Sequence, residues 1–164
     1  MIIRKINIDD AKEFLDMLKQ LDRETKNMLY EENERKTTED EMRTQIKDIL
    51  ESNSLILISE MDDKLVGFLS ADRGFANRIK HSAYIVIGIL KEYRGKKIGS
   101  RLFQEVERWA KDNSITRLEL TVMKHNKGGV NLYKKMGYEI EGVKAKSLIV
   151  DGKYVDEYYM AKLI

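Results

Sequence analysis

Apolar positions return along this chain in two rhythms. Ile2, Ile3 and Ile6 stand among charged neighbours, the pattern of a short first strand. Phe14, Leu15, Leu18 and Leu21 then recur at helical intervals, and Asp10 with Glu13 has the spacing of a capping box at the start of that helix. From Asp22 to Lys36 the rhythm is lost. Met28, Leu29 and Tyr30 are the only apolar cluster there, and the stretch reads as a loop or a mobile helix. Thr38 and Glu41 make a second capping box, ahead of Met42, Ile46, Ile49 and Leu50 on one helical face.

Strand patterns follow. Ser54–Met61 and Leu65–Ala71 flank Asp62-Asp63-Lys64, which predicts a hairpin. A polar loop through Asn77 and Lys80 leads to Ala83–Leu90, apolar enough for a central strand buried on both faces. Ile98, Leu102, Phe103, Val106, Trp109 and Ala110 mark a long amphipathic helix, Leu118–Val122 a strand, and Val130–Met136 a further helix. Tyr138–Val150 and Tyr154–Lys162 predict two long strands joined at Asp151-Gly152, a strong hairpin signal. The order β-α-α-β-β-β-α-β-α-β-β describes an α/β mixed sheet with helices on both faces, in one domain over residues 1–164.

Composition narrows the chemistry. Cysteine is absent, which removes disulfides, cysteine-zinc sites and a thiol nucleophile together. Two isolated histidines and scattered carboxylates have no metal-ligand spacing, so no metal is expected. A net charge of +2 provides no global field for nucleic acid or a membrane surface, and neither is expected as a partner. No apolar run reaches the ~18 residues of a membrane span, and Met1 to Asp10 lacks the apolar core of a signal peptide. The expectation is a soluble, cytoplasmic protein. Proline is absent as well, so turns depend on Gly, Asn, Asp or Ser.

The informative stretch is Tyr93-Arg94-Gly95-Lys96-Lys97-Ile98-Gly99-Ser100-Arg101-Leu102, between a buried strand and the start of a helix. The first N–H groups of a helix have no internal partner, and the helix dipole adds partial positive charge. Glycine lets an anion approach the backbone, and Arg94, Lys96 and Lys97 add full charges, so the segment has the parts of a phosphate cradle. Neither the Walker spacing nor the dinucleotide-binding Gly-x-Gly-x-x-Gly fits. The plain alternative is a strand-to-helix turn with solvated lysines.

Arg94 to Gly99 resembles the pyrophosphate-binding signature of the GNAT N-acetyltransferase superfamily, Arg/Gln-x-x-Gly-x-Gly/Ala, with Lys97 where the first signature glycine usually stands. Asn126, Gly129, Leu132-Tyr133, Lys135 and Gly137-Tyr138 are similar to its later motif, with Gly129 replacing the usual alanine. The resemblance covers most of the chain from Leu55 onward and is weakest between Gln20 and Lys36. It implies the acyl-CoA N-acyltransferase fold: a mixed, mostly antiparallel sheet of about seven strands flanked by about four helices. It also implies acetyl-CoA as cosubstrate, lying in a gap between the fourth and fifth strands.

On that resemblance, backbone groups of Ile87 and Ile89 pair with pantetheine, and Gly88 marks a bulge that opens the gap. Arg94, Gly95, Lys96, Lys97, Ile98, Gly99 and Ser100 hold the pyrophosphate, with Asn126, Gly129, Tyr133 and Lys135 also toward the cofactor. Asn126 is in addition a natural helix cap. Tyr133 is the expected general acid: a phenol of pKa about 10 can protonate a leaving thiolate whose thiol titrates at about 8.5. The acceptor ammonium, of pKa about 10.4 in a lysine, needs a base, for which Glu119 and His81 are candidates and His125 a weaker one. Tyr30, Asp72 and Tyr84 are candidates for the acceptor pocket. The implied reaction is direct transfer to a primary amine of a small molecule or peptide in a ternary complex. The alternative is a non-catalytic acyl-CoA-binding regulatory domain. The terminal hairpin could pair between subunits of a homodimer.

Overall fold

The computed structural model describes residues 1–164. Its elements are β1 (Ile2–Lys5), α1 (Ala11–Glu24), α2 (Glu39–Glu51), β2 (Leu55–Met61), β3 (Lys64–Arg73), β4 (Ser82–Ile89), α3 (Ile98–Asp112), β5 (Arg117–Met123), α4 (Lys127–Lys135), β6 (Glu139–Val150) and β7 (Lys153–Leu163), with single 3₁₀ turns at Ile8–Asp10 and Lys91–Tyr93. The seven strands form one sheet in the order β1-β2-β3-β4-β5-β7-β6. Every neighbouring pair is antiparallel except β4 and β5. This is the mixed α/β architecture that the apolar rhythm and the resemblance imply.

Both faces of the central strands are buried, which is why β2 reads as an almost continuous apolar run. Leu55 and Leu57 of β2 join Leu69, Ala83, Ile85 and the α3 stripe Leu102, Phe103 and Val106 in one core. Ile56 and Ile58 point the other way, to Phe14, Leu18 and Leu21 of α1 and to Met42 and Ile46 of α2. Leu50, expected on the same inward face of α2, is 46% exposed.

The two capping boxes fare differently. Thr38 accepts from the Glu41 N–H and Glu41 from the Thr38 N–H, as the spacing predicts. Asp10 and Glu13 do not form the first one. Arg4 grips both Asp10 carboxylate oxygens at 2.8 Å, and Asp10 accepts from the Asn7 N–H within a box that caps the preceding 3₁₀ turn. Glu13 instead accepts from the Leu65 N–H, tying α1 to the start of β3. The segment between α1 and α2 is irregular loop rather than helix. Asp62 and Asp63 both have positive φ in the β2–β3 turn, and so do Asp151 and Gly152 in the β6–β7 turn, the backbone demanded by two-residue hairpins. No helix is long and apolar enough to cross a membrane.

The feature that positions a site is the short β4–β5 pairing. It comprises Ser82↔Arg117, Ala83↔Leu118 and Tyr84↔Glu119 alone, although β4 runs on to Ile89 and β5 to Met123. The strands therefore diverge into an open gap. Gly88 does not open it by a bulge, because β4 stays in unbroken register with β3 from Arg73↔Ala83 to Gly67↔Ile89. The reason for glycine lies on the α1 face: a Cβ there would come within 2.8 Å of both Leu21 Cδ1 and Phe68 Cε1, side chains fixed in the core. Gly88→Ala is accordingly expected to lower the unfolding free energy by about 1–3 kcal/mol, as overpacking does, measured as a shift of the urea midpoint at constant m-value.

Candidate active site

The gap has a backbone wall. The Leu90 N–H donates to the Val66 carbonyl and the Ser82 carbonyl accepts from the Gly74 N–H, both at 2.9 Å. Even-numbered residues of β4 thus pair with β3, and alternation turns the main chain of Ile87 and Ile89 toward the gap. The Ile89 carbonyl takes the Arg94 Nε–H at 3.0 Å. That bond folds the basic turn back against the end of the strand.

The turn ends in the amino terminus of α3. Lys97 occupies its cap position in the left-handed region, φ 64° and ψ 12°, and no side chain caps the helix. The first intrahelical bond runs from the Arg101 N–H to the Lys97 carbonyl, leaving the N–H groups of Ile98, Gly99 and Ser100 without intrahelical partners. Gly95, at φ 77°, has open space where a Cβ would be. Gly99 packs closely against α4, where a Cβ would lie 2.7 Å from Leu132 Cδ2 and oblige that side chain to shift. Lys96 turns away, its ammonium 4.7 Å from the centre of the Tyr93 ring.

From the α3–α4 face comes Tyr133, 8% exposed, its ring edge-on to Phe103 at 5.7 Å. Burial, with a smaller contribution from nearby Tyr84, pushes its phenol up to about 12. It is a proton holder rather than a phenolate. Asn126 caps α4 by accepting from the Gly129 N–H at 3.0 Å.

One cavity of about 930 Å³ joins these parts. It is lined by Arg94, Gly95, Lys97, Gly99 and Ser100 of the basic turn and α3, by Ile87 and Ile89 of β4, by Asn126, Tyr133 and Lys135 at α4, by Tyr30 and Arg35 of the α1–α2 loop, and by Asp72 and Tyr84 of β3 and β4. Arg35 secures that loop. Its Nε and Nη2 donate to the two oxygens of Asp22 at 2.7 and 3.1 Å, and its guanidinium carbon sits 4.5 Å from the centre of the Tyr30 ring. Across the gap, the Tyr84 and Thr121 hydroxyls are hydrogen-bonded at 2.7 Å.

Residues 15–138 match the model of the acetyltransferase (GNAT) family. The chain belongs to the GNAT family. It is 33% identical over 111 residues to the L-amino acid N-acetyltransferase AaaT of Escherichia coli K12, across 65% of this chain and 67% of that protein. The crystal structure of a GNAT-family acetyltransferase from Streptococcus pneumoniae is similar with a TM-score of 0.95 and 30% identity, over 99% of this chain and 98% of that one. The phosphinothricin acetyltransferase of Sinorhizobium meliloti, solved in complex with AcCoA, has the same fold at 16% identity, with a TM-score of 0.87 over 99% of this chain and 88% of that one. The protein is a GNAT-family N-acetyltransferase.

Within this GNAT domain the residues singled out from sequence divide into two groups. Ile87, Ile89, Arg94, Gly95, Lys97, Ile98, Gly99, Ser100, Asn126, Gly129, Tyr133 and Lys135 all line the cavity, and Tyr30, Asp72 and Tyr84 line it too. Lys96, Glu119 and His81 do not. Glu119 is bonded to Arg117, which is also held by Glu141. His81 lies at the closed end of the β4–β5 pair, its carbonyl accepting from the Thr116 and Arg117 N–H groups. Neither candidate base lines the cavity, although Glu119 is the last β5 residue paired with β4, at the mouth of the gap. Arg35, Thr121, Ser147 and Glu157 line the cavity without having been foreseen. Arg35 falls where the apolar rhythm fails. Ser147 and Glu157 reach the cavity through the register of the terminal hairpin, for which no local signal exists.

Lys97 has a local consequence. A non-glycine residue in the left-handed region costs about 1–2 kcal/mol, partly offset because glycine also makes the unfolded chain more flexible. Lys97→Gly is expected to raise stability by about 0.5–1 kcal/mol in urea denaturation, whereas Lys97→Ala, which keeps the same φ demand, is expected to leave it nearly unchanged.

Proposed function

We propose that this GNAT domain transfers the acetyl group of acetyl-CoA to a primary amine of a small molecule or peptide, by direct attack in a ternary complex. The observation that carries the reading is the meeting, in one cavity, of an uncapped basic helix terminus, an unpaired stretch of β4 and a buried phenol. The N–H groups of Ile98, Gly99 and Ser100, with Arg94 and Lys97, receive the pyrophosphate. The main chain of Ile87 and Ile89 pairs with pantetheine as an added strand, and an N–H on that edge polarises the thioester carbonyl. Tyr133 protonates the departing sulfur. A bound AcCoA in the Sinorhizobium enzyme supports the cosubstrate, and the amino-acid activity named for AaaT supports a small amine.

Calorimetric titration with acetyl-CoA is expected to give saturable binding, with free adenosine failing to compete. Tyr133→Phe is then expected to lower kcat by ~10²-fold or more, followed as thiol release, with little change in acetyl-CoA affinity. Binding without release of thiol from any amine would favour a regulatory acyl-CoA-binding domain instead. Because burial holds the phenol protonated to about 12, the acid remains competent throughout the neutral range. The kcat profile is expected to show no descending limb from Tyr133 up to about pH 10.

The outer edge of β6 ends the sheet with no partner strand, which supports pairing of two copies through the terminal hairpin. Sedimentation velocity tests that part separately, and a monomer at every concentration would reject it.

A further inference from the structure

An amine that attacks a thioester must first lose the proton that makes it an ammonium ion, and neither Glu119 nor His81 reaches the cavity. Two acids do line it, Asp72 and Glu157. Glu157 already accepts from the Ser147 hydroxyl and is 9% exposed. Asp72 stands at the exposed rim of the cavity with no hydrogen bond or charge partner within the protein, and the protein packed around it raises its carboxyl above the ordinary range by desolvation.

Its place in the sheet is specific. Asp72 of β3 is the cross-strand partner of Tyr84 of β4, and the Tyr84 hydroxyl is bonded to Thr121 of β5. The three side chains form a row across the sheet where β4 and β5 part, since Tyr84↔Glu119 is the last pair between them. Alternation along β3 puts Asp72 on the face of Phe68, which packs with α1 and α2, while Leu69 and Ala71 face α3. Tyr133 belongs to the opposite face, in the α3 core. A thioester in the gap would thus have a phenol on one side and an unpaired carboxylate on the other.

We propose that Asp72 is the catalytic base of this enzyme and the carboxylate that selects its acceptor, which is an aliphatic amine arriving as an ammonium ion on the α1–α2 face. The inference rests on the transferase reading above. The Asp72 carboxylate pairs with the ammonium and takes one proton. The freed nitrogen lone pair forms the C–N bond, the carbonyl re-forms, and the C–S electrons leave on sulfur. Sulfur takes the Tyr133 proton, nitrogen gives its second proton to water, and the phenolate is reprotonated from water. One proton reaches water from Asp72, so amide, thiol and one proton balance ammonium and thioester. The elevated pKa narrows the gap to an aliphatic ammonium, which favours the first transfer.

The test compares nucleophiles that do and do not need this base. Thiol release from acetyl-CoA is measured at neutral pH with ethanolamine, putrescine, L-alanine and L-alaninamide, and with hydroxylamine, which is largely unprotonated there. Asp72→Asn keeps the shape of a side chain that makes no internal bond, and an unchanged acetyl-CoA affinity reports an intact fold. The expected result is a ~10²-fold or greater loss of kcat/KM on the best of the four ammonium acceptors, against a loss under ~10-fold on hydroxylamine. Equal losses on both would make Asp72 a structural residue and overturn the proposal, as would no loss on either. Wild-type turnover of hydroxylamine alone would also overturn it, since the ammonium would then not be handled. Acetyl-CoA binding with no turnover of any nucleophile by the wild type would instead sink the transferase reading, and this inference with it.

Discussion

Everything in the site depends on two parallel strands that pair for three residues and then separate. Sheet strands normally satisfy both edges, and an unpaired edge in the interior of a sheet leaves polar main-chain groups that something must satisfy. Here β4 keeps its full ladder with β3 and loses only β5. β5 in turn keeps its full ladder with β7, from Arg117↔Leu163 to Met123↔Glu157. Each strand is therefore held rigidly from its outer side while the inner sides diverge. The gap is a product of complete pairing elsewhere and needs no flexible segment to keep it open.

A rigid gap in a sheet has two faces, and these are furnished by different parts of the chain. On one, α3 and α4 bring the uncapped helix terminus and Tyr133 together, a contact made close by Gly99 against Leu132. On the other, residues of α1, α2 and the loop between them line the cavity together with Ser70, Asp72 and Tyr84. An amine reaching the gap from that second face would meet the thioester from the side opposite the phenol. Proton removal and proton delivery would then occur at separate places, without one group having to serve both.

The two faces also differ in how readily the sequence discloses them. The α3–α4 side is built from consecutive residues, so a glycine-punctuated basic turn and a capped Leu-Tyr helix are legible as motifs before any fold is known. The succession of elements, both hairpin turns and the Thr38–Glu41 box were legible for the same reason: each is decided within a few residues. What was hidden is what pairs across distance. Glu13 has the right spacing to cap its own helix, yet bonds to Leu65, and Asp10 is taken by Arg4. Gly88 looks like a bulge until the packing of Leu21 and Phe68 against it is seen. Glu119 reads as an open carboxylate on a strand until Arg117 is found beside it.

The loop between α1 and α2 illustrates the point in energetic terms. Residues 25–38 form no helix or strand, and few of their side chains enter the cores. Their position is held by side-chain ties instead: Arg35 to buried Asp22 at the end of α1, and Lys26 to Asp151 at the tip of the terminal hairpin. The second is exposed and worth little on its own. The first is enclosed, with the Asp22 side chain 2% and the Arg35 side chain 13% exposed, so leaving either charge without the other would cost several kcal/mol. A wall secured by one ion pair rather than by a repeating apolar stripe can change its other side chains without unfolding the domain. The basic turn has no such freedom, because Arg94 bonds it to the Ile89 carbonyl at the end of β4 and Gly99 packs it against α4. That asymmetry is why family membership can be read from this chain more readily than its acceptor.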